Sequence, residues 1–153
     1  MTDYDLIIKQ MSALAEELPD QVPVMANLSS MLFYSMEDVS WAGFYTVRGD
    51  ELVLGPFQGK VACVRIKKGK GVCGTAWAED RTQLVPDVHA FPGHIACDSA
   101  SNAEIVVPIH DNEGIVAGVL DIDSPLKGRF TEEDQAGLEA FVRVLEENGT
   151  WTA

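Results

Sequence analysis

Two apolar, aromatic-rich runs, "WAGFYTV" and "LVLGPFQ", stand on either side of "RGDE". Each is of strand length, and Gly49-Asp50 supplies the turn chemistry of a tight connection, so the segment predicts a β-hairpin. The pattern recurs where "AEIVVPI" and "GIVAGVLDI" are joined by "HDNEG". A further short strand is expected at "VACVRI". Hairpins pair strands antiparallel, and a chain dominated by them should build a mainly antiparallel sheet with its helices segregated to the faces.

Helical periodicity fills the rest. "DYDLIIKQMSALAEEL" sets Leu6, Ile7, Met11, Leu14 and Leu18 on or near one face, with Thr2 or Asp3 free to cap. "VPVMANLSSMLFYSM" reads as a second helix with Pro23 in its first turn and Leu28, Met31, Leu32 and Tyr34 packing. "KKGKGVCGTAWAED" is a lysine-glycine loop opening into a short helix, and "TEEDQAGLEAFVRVLEEN" closes the chain, Thr131 and Asp134 forming a capping-box pair. Between them, from Thr82 to Asn102, one short apolar run is followed by about fifteen residues of loop, a length that is usually functional in a compact domain. The expectation is one α+β domain spanning residues 1–153.

Charge narrows the partners. Eleven lysines and arginines against twenty-four acids leave a net charge of −13, which disfavours nucleic acid and anionic membrane because both are themselves negative. No run of about 18 apolar residues occurs, and the start, "MTDYDLIIKQ", is acidic where a secretory signal would be basic. A soluble, cytoplasmic protein is expected. Three cysteines without a secretory signal point to free or redox-active thiols in place of a disulfide framework.

Each thiol has its own setting. Cys73, in "GKGVCG", sits where a helix N-terminus would favour the thiolate, and electrostatics alone make it the first choice for a reactive cysteine. The same glycines match a dinucleotide-binding pattern, but that pattern needs a parallel βαβ unit, and the surrounding hairpins leave a plain glycine-rich bend. Cys63 alternates with Val61 and Arg65 on one face of the expected third strand, as a half-buried small residue would. Cys97 lies in the long loop between His94 and Asp98, where the neighbouring acid opposes a thiolate. His94 and Cys97 could be read as zinc ligands, yet no C-x-x-C or H-x-x-x-H pair accompanies them, and no metal is expected. No G-x-S-x-G elbow supports serine catalysis.

The acids are harder to read as mere surface. "LDIDSP" places Asp121 and Asp123 two apart on one strand face, and Glu104 opens the preceding strand. If the three converge, burial and mutual repulsion would hold at least one of them protonated as a general acid, and a remaining carboxylate could receive an ammonium group.

"GKGVCGTAW", "LVPDVHAFPGHIACDSASNAEIVVPI" and "GVLDIDSP" follow one another with the cysteines at these intervals, and in this the chain closely resembles the free methionine-(R)-sulfoxide reductases, a catalytic branch of the GAF-domain proteins. The resemblance covers nearly the whole chain and is most specific from Trp41 to Phe130. It implies a single GAF domain over residues 1–153, with an antiparallel sheet of about six strands between helices. It further implies that Cys97 is the nucleophile, Cys63 the resolving thiol and Cys73 an auxiliary one. Glu104, Asp121 and Asp123 would line the substrate pocket with Trp41 and Tyr45. Free methionine-R-sulfoxide would be the substrate, with thioredoxin as reductant, no bound cofactor, and a homodimer possible. Ala103 departs from the family, where a serine is common. The rival reading is a non-enzymatic GAF module that senses a small molecule or redox state.

Overall fold

The computed structural model describes residues 1–17, 21–93, 100–148 and 151. Its elements run α1 (Tyr4–Glu17), α2 (Gln21–Ser35), β1 (Trp41–Arg48), β2 (Glu51–Gly59), β3 (Arg65–Lys67), α3 (Gly71–Glu79), β4 (Gln83–Val85), a single 3₁₀ turn (Val88–Ala90), β5 (Ala103–His110), β6 (Val116–Ser124) and α4 (Glu132–Glu147). The strands form one six-stranded sheet in the order β3-β2-β1-β6-β5-β4. Every neighbouring pair is antiparallel, so no parallel βαβ unit stands behind the glycines of "GKGVCG". Gly69 and Gly71 instead take positive φ, 81° and 62°, where the chain bends into α3.

The period-2 alternation of the strands divides two cores. One face, carrying Phe44, Ile105, Leu120 and Ile122, packs under α1, α2 and α4. These four side chains are fully buried, and each contributes roughly 1.5–3 kcal/mol of transfer free energy. The opposite face carries Trp41, Tyr45, Val106 and Val119 and packs against Val72, Cys73, Ala76 and Trp77 of α3. That second face holds the site.

The helix ends follow the expected chemistry. Asp3 caps α1 by accepting from the Leu6 amide at 3.1 Å. Thr131 and Asp134 complete a capping box at the start of α4, which satisfies two amides that would otherwise lack partners. Two expected core positions are exposed. The buried ridge of α1 is Ile7 and Met11, a true i, i+4 pair, and Leu6, about 100° round the helix, is half exposed. In α2 the ridge is Leu28 and Leu32. Tyr34, two positions on, therefore points to the far side, 74% exposed.

"VACVRI" is the main correction. Only Arg65–Lys67 joins the sheet, pairing with Glu51, Leu52 and Val53 of β2, while residues 60–64 form a loop. Cys63 is half-buried in that loop and not on a strand face. Side chains of β1 take over what ladder partners would have done: Trp41 Nε1 donates to the Lys60 carbonyl at 3.0 Å and Tyr45 OH to the Cys63 carbonyl at 2.9 Å. The apparent alternation of Val61, Cys63 and Arg65 spans a bend that these donors stabilise.

Candidate active site

β5 and β6 bring the acids together through register. Glu104 lies opposite Asp123, and Val106 opposite Asp121. Because Asp121 and Asp123 are two apart, both point to the α3 face, where β1 sets Gly43 opposite Asp121 and Trp41 opposite Asp123. Gly43 has a steric reason to lack a side chain: a Cβ there would come 2.8 Å from the Trp41 ring and collide with Phe57. Its absence lets Trp41 stack on Phe57, centroids 5.1 Å apart at 14°.

From the other side α3 delivers Cys73. Its Sγ lies 3.9 Å from Glu104 Oε2, and the thiol and one oxygen each of Glu104 and Asp121 all lie within 4.8 Å of one another. Among the described residues this is the set close enough to share a metal ion. Asp121 is buried at 5% exposure, and its Oδ1 has no hydrogen-bond partner among the described residues. A buried polar atom without a partner costs about 1–3 kcal/mol. Such an atom is what a ligand with donor hydrogens would satisfy.

Electrostatics follow from this crowding. Burial first, and then repulsion from Asp123, hold the Asp121 carboxyl well above the usual carboxylate range. Burial and then the Asp121 charge do the same to Glu104. Carboxylates this close repel when both are ionised, and burial adds to the cost of charging either. The cluster therefore holds proton among its members, and its titration belongs to the group more than to any one residue.

Cys73 overturns the helix-dipole expectation. It does lie in the first turn of α3, but burial, followed by Asp121, Glu104 and Asp123, pushes its thiol up, away from the thiolate. A helix terminus supplies at most about 2 kcal/mol, whereas full burial shifts a pKa by up to roughly 3–5 units, each about 1.4 kcal/mol. Desolvation wins. The same burial and the same acids push the Tyr45 phenol up, so it stays a neutral donor to the Cys63 carbonyl.

The structure thus brings together Trp41, Tyr45, Cys73, Glu104, Asp121 and Asp123 around one cavity of about 50 Å³. Cys63 sits on the loop above it, disulfide-bonded, while Cys73 is free. Cys97, with His94 and Asp98, lies outside the described residues. Sequence reading missed Ser101, Lys70, Val61 and Ala62 in the cavity wall. Only Ser101 left a trace, as a polar residue two positions before an apolar strand, where it is 6% exposed. No helix among the described residues is long and apolar enough to cross a membrane.

A family model described as the GAF domain matches residues 15–147. A free methionine-R-sulfoxide reductase of Escherichia coli is 57% identical over 122 residues, covering 80% of this chain and 73% of that one. A solved structure of the free methionine-R-sulfoxide reductase from Neisseria meningitidis in complex with its substrate superposes with a TM-score of 0.91 at 43% identity, covering 95% of this chain and 87% of that one. The fRMsr of Staphylococcus aureus in complex with substrate also reaches a TM-score of 0.91, at 47% identity, covering 97% and 96%.

Proposed function

The chain belongs to the GAF-domain family, in the branch that holds the free methionine-R-sulfoxide reductases, and from that premise we propose that it reduces free L-methionine-(R)-sulfoxide to L-methionine by thiol chemistry. The observation that carries the reading is the proton-holding cluster of half-buried Glu104 and Asp123 around buried Asp121, beneath a loop with a disulfide-bonded cysteine. A sulfoxide needs both of these. Its sulfur must be attacked by a thiol while its oxygen is protonated, and a carboxyl kept neutral by burial and like charges can give that proton at neutral pH.

In this reading the Cys97 sulfur attacks the sulfoxide sulfur as Glu104 or Asp121 protonates the oxygen. The oxygen passes to Cys97 as a sulfenic acid and methionine leaves. The Cys63 thiol then condenses with the sulfenic acid, forming a disulfide and releasing water. Support for the resolving role is that Cys63 is disulfide-bonded while Cys73 is free. Two electrons from the dithiol of thioredoxin return both cysteines to thiols by exchange. Cys73, with its thiol disfavoured as an anion, is an auxiliary group and not the first nucleophile.

Substrate orientation follows from the same walls. Trp41 and Tyr45, stacked with centroids 6.1 Å apart, offer apolar ring surface to the methyl-sulfur end. A remaining carboxylate of the cluster holds the α-ammonium group, which a residue inside a peptide chain lacks. No bound cofactor has a step here. In this reading the domain extends over residues 1–153, acts in the cytoplasm and can pair into a homodimer, which sedimentation tests.

Incubation with dithiothreitol and methionine-R-sulfoxide, scoring free methionine, tests the activity. Catalytic release is the expected result. Binding of the sulfoxide without turnover would favour the sensor reading instead.

A further inference from the structure

Five of the eleven lysines and arginines, Lys60, Arg65, Lys67, Lys68 and Lys70, fall within residues 60–70, a stretch with no acid. All five are exposed. The remainder of the chain carries twenty-four acids against six bases. Arg65 and Lys67 reach Glu51 and Asp50 at the β1–β2 turn, at 3.5–3.8 Å. Lys60, Lys68 and Lys70 make no ion pair with described residues, so this rim keeps a local positive charge on a strongly negative protein.

Cys63 lies within this basic stretch, and Lys70 shares a cavity wall with Val61 and Ala62 beside it. Val61 and Val64, on either side of that cysteine, are 88% and 61% exposed, a small apolar surface inside a basic border. The loop is held in place by Trp41 and Tyr45 at Lys60 and Cys63 and by the Leu54 amide, which donates to the Val64 carbonyl at 2.9 Å. A fixed loop with an apolar centre and a charged border has the layout of a protein contact.

We infer that this rim is the docking surface of the electron donor, an acidic protein bearing a dithiol. The inference rests on the reductase reading, in which a disulfide at Cys63 must be reduced in every cycle. Screening explains why a local patch can override the net charge: at physiological salt the Debye length is about 8 Å. A donor approaching Cys63 therefore feels a surplus of bases, Lys60, Lys68 and Lys70 beyond the paired Arg65 and Lys67, while the rest of the chain is rich in acids. The bases also favour the donor's attacking thiolate. That thiolate attacks the Cys63 sulfur, forming an intermolecular disulfide and expelling the cysteine bonded to Cys63 as a thiolate that takes up a proton. The donor's second thiolate then attacks the intermolecular disulfide, leaving the donor oxidised and Cys63 a thiol, with two electrons transferred. A small dithiol follows the same steps without needing the rim.

The test uses the full chain with Lys60→Glu and Lys68→Glu together, neither of which lines the cavity. The control pair is Lys9→Glu with Arg143→Glu, on the helical face. Methionine formation is followed with a reduced thioredoxin of net negative charge and separately with dithiothreitol. The rim pair should raise KM for the thioredoxin by about tenfold with kcat little changed, leave dithiothreitol-driven turnover intact, and abolish the salt dependence of the thioredoxin reaction. The control pair should do none of these. An unchanged thioredoxin KM in the rim pair, or an equal rise in the control pair, would overturn the docking surface while leaving the reductase reading standing. Absence of methionine release with either reductant in the parent protein would overturn the reductase reading and this inference with it.

Discussion

Cys73 Sγ lies 3.9 Å from Glu104 Oε2, so a thiol in the first turn of a helix faces carboxyls and not solvent. Burial, and then the carboxyls, keep it protonated. In a Cys63→Ser, Cys97→Ser background, thiolate absorbance should show Cys73 titrating well above an ordinary thiol. Asp121→Asn removes the largest of the charge contributions and should lower that midpoint. A midpoint unmoved by Asp121→Asn would show that burial alone sets it.

The acid cluster should trade stability for chemistry. Glu104 and Asp121 have folded-state pKa values raised above those of unfolded Glu and Asp, about 4.3 and 3.9. Their contribution to stability is thus present below those values and is lost as pH rises through the folded-state titration. At pH 8 the cluster burdens the fold. Asp121→Asn and Glu104→Gln are each expected to raise Tm at pH 8 more than at pH 5, and to slow methionine release by about 100-fold or more through loss of the proton donor. Full activity in both variants would remove these acids from the reaction.

Tyr45→Phe keeps the ring and deletes the donor to the Cys63 carbonyl. One such hydrogen bond contributes about 1 kcal/mol, which for a chain of this size corresponds to a Tm loss of about 2–4 °C. The freed loop should also let reduced Cys63 be alkylated faster. Equal Tm and equal alkylation would mean that the loop is held by other contacts.

Much of this arrangement was legible in the residues. "RGDE" and "HDNEG" mark antiparallel hairpins because turn chemistry is local, and the Asp121–Asp123 spacing fixes a shared face because strand period is local too. Cys63 was misread for the same reason: alternation looks alike whether a segment joins the ladder or bends over it, and only the placement of Trp41 and Tyr45 decides. Cys73 failed differently. Its position at a helix start is readable, but three carboxyls from other elements set its protonation, and sequence does not display that long-range convergence. Leu6, about 100° off the buried ridge, and Tyr34, about 200° off it, show that apolar character alone does not resolve a position round the helix.

His110, at the end of β5, ties two helices. Its Nε2 lies 2.6 Å from Asp80 at the C-terminus of α3, and its Nδ1 lies 2.7 Å from Glu146 of α4. Burial by itself would lower its pKa, but the bonds and charges of Asp80 and Glu146 outweigh burial and raise it. The stabilisation is therefore complete below about 6.5 and is lost as pH rises through the folded-state value. His110→Gln should lower Tm at pH 6 more than at pH 9. An equal loss at both would assign the residue a packing role only.

Single-turnover methionine release from the three cysteine-to-serine variants tests the central claim most directly. Cys97→Ser should release none, Cys63→Ser should release one equivalent and stop at the sulfenic acid, and Cys73→Ser should release methionine and still form the disulfide. Loss of release in Cys73→Ser with release retained in Cys97→Ser would contradict the account.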